Sequence, residues 1–117
     1  MTTPTTIQPP DLPAPIRDYL AAHVARDADA PIRTFAQDAV VTDEGRTFRG
    51  TEEILGFLRH AGSAFTYTTE LTGAQRVDDE RWVAVHHLAG DFPGGVVDLA
   101  YRFTMRGDLI AELVIAP

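Results

Sequence analysis

The sequence predicts an α+β fold, helices first and a curved, mainly antiparallel sheet after them. Two observations carry this. Apolar residues recur at helical spacing in segments of the first 62 residues. From residue 65 onward, runs rich in Val, Ala, Leu and Tyr are separated by turn-like breaks too short for crossover connections. The chain is 117 residues long, which suits one domain with a single core.

The first 13 residues read as a flexible Pro/Thr leader, and 14–117 as the domain. Pro15 fits the first turn of a helix, and Ile16, Tyr19, Leu20, His23 and Val24 form one apolar stripe along it. "DADAP" breaks that helix. Asp29 can cap a second one, with Ile32, Phe35, Ala36 and Ala39 on its inner face. A short strand, Val40–Asp43, turns through "DEGR" into Thr47–Arg49, a predicted hairpin. Thr51 opens a third helix whose stripe is Ile54, Phe57, Leu58 and Ala61, with Gly62 ending it. Four strands follow, over 65–77, 81–90, 96–105 and 109–115.

Val41 and Asp43 share one face of their strand, because strand side chains alternate. A carboxylate therefore points where a core valine points. The late strands are apolar on both faces, and helices can cover only one. The other face predicts a homodimer packed through the sheet.

Composition excludes several classes of function. Net charge is −7 with no basic cluster, which argues against a nucleic-acid partner. No apolar run is long enough for a membrane span, and the N-terminus does not read as a signal peptide, so a cytoplasmic location is expected. With no cysteine there is no thiolate or disulfide chemistry. No phosphate loop, dinucleotide fingerprint or metal-ligand spacing is present, so no cofactor and no metal are expected. All ten basic residues are arginine, a bias that fits a GC-rich, bacterial genome.

Four stretches, "YLAAHVARDAD", "FAQDAVVTDEG", "FRGTEEILGFL" and "YRFTMRGDLIAEL", give the chain a resemblance to the NTF2-like superfamily, in its SnoaL-like and ketosteroid isomerase-like branch. The resemblance spans roughly residues 14–116. It implies a cone in which three N-terminal helices and the sheet enclose a pocket, with dimers formed through the sheet. It implies that Asp43 stands where the isomerases keep their general base and Tyr19 where they keep a donor to the developing oxyanion. It also places Leu99 and Leu58 where the isomerases carry polar groups, so their full oxyanion network is not conferred. By the same alignment His87 faces the pocket as an auxiliary acid or base, and His86 the dimer side. His23, Phe35, Phe57, Val85, Leu99, Tyr101 and Phe103 are the expected lining.

Each assignment has a plainer counterpart. Asp43 can cap the "DEGR" turn, Tyr19 can be a core tyrosine, and His23 and His87 can be polar groups satisfied by neighbours. The expected function is a pocket for a hydrophobic small molecule. As an enzyme it would be a cofactor-free isomerase or cyclase moving a proton next to a carbonyl. A non-catalytic ligand-binding or dimeric partner module is the alternative. Hydrolysis by an activated water ranks last, because no paired carboxylates with an arginine can be placed.

Overall fold

The computed structural model describes residues 4–24, 31–60 and 67–117. Among these residues seven strands form one sheet in the order β1-β4-β5-β6-β7-β2-β3. They are β1 (Thr5–Ile7), β2 (Phe35–Asp43), β3 (Arg46–Arg49), β4 (Tyr67–Arg76), β5 (Arg81–Gly90), β6 (Val96–Arg106) and β7 (Leu109–Ala116). Two helices, α1 (Ala14–Val24) and α2 (Gly50–His60), accompany them. All pairings are antiparallel except β2 with β7. Register shifts in the β2–β7, β4–β5 and β6–β7 ladders supply the local bends that curve a sheet.

One face of the sheet carries Val41, Ala74, Ala84, Tyr101, Phe103, Ile110 and Leu113, all buried. Ile16, Tyr19 and Leu20 of α1 and Ile54 and Phe57 of α2 complete this core. The stripes predicted for these two helices are therefore the faces that pack, as far as their side chains are described.

Two expectations are corrected. The predicted second helix does not form among the described residues: a four-residue 3₁₀ turn, Pro31–Thr34, leads straight into β2. Phe35, Ala36 and Ala39 are indeed buried, but from a strand. Phe35 pairs with Ile110 and Val40 with Glu112, so three extra residues bulge out of β2 between these points. The bulge brings the chain round and gives a strand the burial spacing of a helix. Asp29, its expected cap, and Gly62, the expected end of α2, lie outside the described residues.

The leader is also ordered from Thr5. β1 pairs with the edge of β4, a 3₁₀ turn follows at Pro9–Asp11, and Leu12 is buried in the core. Pairing covers the β4 edge and satisfies its backbone groups, which outweighs the local preference of a Pro/Thr segment for extended coil.

Candidate active site

The hairpin that positions Asp43 is set by its turn. Asp43 pairs with Arg46, leaving Glu44 and Gly45 as a two-residue loop. Both have positive φ, 51° and 81°, as a type I′ turn requires. On the other side β2 runs parallel to β7, with Val41 opposite Leu113 and Asp43 opposite Ile115. Val41 is fully buried, and Asp43, two residues on, leaves the packed core at the sheet end. Its carboxylate opens on a cavity of about 540 Å³.

Apolar side chains form most of the cavity wall, among them Phe57 of α2, Leu88 of β5, Leu99 of β6 and Ile115 of β7. Phe92 and Pro93, from the turn between β5 and β6, also contribute. The ionisable lining groups are Asp43, Glu44, Tyr67 and Tyr101. Burial in this wall pushes the Asp43 carboxyl above its ordinary value, and the neighbouring Glu44 charge adds to it; Arg46 acts in the opposite direction. Burial pushes the Tyr101 phenol up as well, with Tyr67 and Asp43 adding to the effect. Tyr101 therefore stays protonated, a hydrogen-bond donor at any working pH. Tyr19 lies behind this set, fully buried, its ring edge-on to Phe35 (5.6 Å between centroids) and Phe103 (5.7 Å). Its phenol is raised first by burial and then by Tyr101, Asp43 and Tyr67, which places one carboxylate and three phenols in a single neighbourhood.

The model of the SnoaL-like domain matches residues 16–113. The chain belongs to the SnoaL-like family. Among solved structures, this SnoaL-like chain is similar to a proposed polyketide cyclase from Sinorhizobium meliloti, with 37% identity and a TM-score of 0.85, over 94% of this chain and 100% of that one. It is also similar to a hypothetical protein of Catenulispora acidiphila with a ketosteroid isomerase-like fold, solved in complex with trimethylamine. The identity there is 21% and the TM-score 0.76, over 90% of this chain and 85% of that one, so the likeness speaks for the fold alone. No curated protein matches the chain.

Of the side chains expected in this SnoaL-like pocket, Asp43, Phe57, Leu99 and Tyr101 line the cavity. Phe35 and Phe103 are core residues packed on Tyr19 and are not among the lining residues, and neither is Tyr19. The side chain of His23 lies outside the described residues.

His87 and Val85 are corrections. Both stand on the outer face of the sheet, where the His87 Nδ1 is 2.7 Å from Asp98 Oδ1. It is His86 that points inward. It is buried, and its ring meets Tyr101 edge-on at 5.0 Å between centroids. It also lines a second cavity of about 400 Å³ beneath Pro9, Pro10 and Leu12. The reason is register. The β5–β6 ladder pairs Ala84 with Tyr101 and His86 with Leu99. Paired residues share a face, so even-numbered positions of β5 accompany odd-numbered positions of β6. An expected lining that joins Val85 and His87 to Leu99 and Tyr101 mixes the two faces. The turn that sets this register is centred between Gly90 and Gly95, where the Gly90 N–H donates to the Gly95 carbonyl. The same register finds Leu88, which sequence reasoning left out of the lining. Tyr67 and Glu44 were missed too: Tyr67 begins β4, and Glu44 is a turn residue with no chemical motif around it.

Proposed function

We propose that this SnoaL-like domain is a cofactor-free isomerase or cyclase that moves a proton next to the carbonyl of a hydrophobic compound. The observation that carries the reading is the half-buried Asp43 carboxylate opening on an apolar cavity beside the Tyr67 and Tyr101 phenols. Poor solvation makes the carboxylate a stronger base than a surface one. Asp43 takes a proton from the carbon next to the carbonyl, and the electron pair moves onto the carbonyl oxygen. Tyr101 or Tyr67 donates a hydrogen bond to that oxygen. Asp43 then returns the proton to a different carbon, or the enolate carbon attacks a second carbonyl and the alkoxide so formed takes the proton back from Asp43. Tyr19 supports this set from behind. The Sinorhizobium relative, a proposed polyketide cyclase, supports enolate chemistry of this kind.

The test is deuterium exchange from buffer into a hydrophobic cyclic ketone such as 2-tetralone, followed by NMR. The wild type exchanges the protons next to the carbonyl faster than buffer does. Asp43→Asn loses this acceleration, about 100-fold or more, while folding normally. Equal exchange by that variant overturns the mechanism.

The second reading is a non-catalytic binding module on the same cavity. Leu99, an apolar side chain in the lining where the isomerases keep a donor, favours it. Under either reading we propose that two copies pack through the outer face of the sheet. Val83, Val85 and Ala100 and Val114 lie there half-buried, an apolar strip between charged side chains such as Asp98 and Arg102.

A further inference from the structure

We infer that the cavity takes a cationic ligand, a hydrophobic body carrying an ammonium group. This deepens the reading of the cavity as a substrate site and rests on it. Two carboxylates, Asp43 and Glu44, line the space, and among the described residues no basic side chain does. Four aromatic side chains, Phe57, Tyr67, Phe92 and Tyr101, line it as well. Aromatic faces are negative, and an alkylated ammonium is the group that gains from ring faces and carboxylates together. The arginine whose charge acts on Asp43 is Arg46, and its guanidinium sits over the Phe48 ring, 5.9 Å from its centre, in the hairpin and not in the cavity wall.

The arrangement discriminates by charge. A neutral ligand buries apolar area but leaves the carboxylates unused. An anion entering the same space meets two like charges, with only phenol hydroxyls to set against them. A cation is attracted by both carboxylates, and low-dielectric walls focus that attraction. Position divides the work. Glu44 is exposed at the turn and Asp43 is half-buried. The ammonium end therefore sits toward Glu44 at the mouth, and the apolar body reaches in past Asp43 toward Leu99 and Tyr101. The net charge of −7 adds a long-range attraction for a cation.

Three probes of nearly one shape separate the possibilities: phenyltrimethylammonium, its neutral copy tert-butylbenzene, and anionic benzenesulfonate. Their binding to the full chain is followed by NMR titration at pH 7 and low ionic strength. The cation should bind at least about tenfold more tightly than tert-butylbenzene, and benzenesulfonate more weakly than either. Glu44→Gln should reduce the preference severalfold, and the Asp43→Asn, Glu44→Gln double variant should abolish it. Cation affinity should also fall as pH drops from 7 toward 4 and Asp43, whose carboxyl burial pushes up, takes on a proton. Equal or tighter binding of the neutral copy overturns the inference, as does failure of the cation to bind in the millimolar range. Exchange of ketone protons without a cation preference would sink the ligand class and leave the proton-transfer reading standing. A cation preference without exchange would do the reverse.

Discussion

Asp43 of β2 lies opposite Ile115 of β7 at the end of a parallel ladder, and both side chains line the cavity. The pair marks where the core stops being packed and begins to be hollow. One step back along the ladder, Val41 and Leu113 are fully buried. The carboxylate is tolerated because it sits on this border, half-buried, with part of its hydration retained.

Stability should record that position through pH. Asp43 is raised in the folded protein, so between its ordinary value of 3.8 and the raised value the folded state holds more proton than the unfolded chain. Stability from this group is then greatest at low pH and declines as pH rises through that window. Asp43→Asn removes the decline. Urea denaturation from pH 3.5 to 7 should show the variant gaining on the wild type as pH increases. A constant difference between the two would contradict the assigned environment.

The phenols differ in what they face. Tyr101→Phe should lower the ketone exchange rate about 100-fold, the effect of losing one donor to an oxyanion. Tyr19→Phe should change it only a few-fold, because Tyr19 is core and outside the cavity wall. Rates for the two variants under one assay decide between them. A larger loss for Tyr19→Phe would restore that residue as the donor.

Glu44 occupies a left-handed conformation with φ of 51°, which L side chains adopt at a cost. Asn tolerates that region and suits the first position of a type I′ turn. Glu44→Asn should therefore stabilise the chain by about 0.5–1 kcal/mol, read from the urea midpoint at an unchanged slope. Destabilisation would show that the glutamate side chain holds the turn.

Leu113 is fully buried beside Val41 in the heart of the sheet. Leu113→Ala should cost about 3 kcal/mol, the transfer of the lost methyl groups plus the void they leave. The same urea experiment measures it, and a loss below about 1 kcal/mol would mean that the core there collapses to fill the gap.

Val85 tests the outer face. In the single chain it is half-buried on the side away from the helices. Val85→Arg should convert a dimer into a monomer in light scattering at micromolar concentration while leaving the circular dichroism spectrum intact. A wild type that is already monomeric removes the proposed packing.

Local pattern was enough for the two amphipathic helices, the "DEGR" hairpin and the bounds of the late strands, because periodicity and turn chemistry act over a few residues. It also singled out Asp43, since a carboxylate in phase with a core valine is visible in three letters of sequence. Non-local pairing decided the rest. The bulge between Phe35 and Val40 exists only because β7 lies alongside β2, and it makes a strand imitate a helix in its burial. β1 is a strand because the β4 edge is there to receive it. Which of His86 and His87 points inward depends on a register that one residue would invert, and that register is held by β6. Tyr67 comes to Asp43 from 24 positions away in the chain, through the order of strands in the sheet. Spacing along a sequence carries no information about such encounters; they arise only when distant segments share a surface and exclude water together.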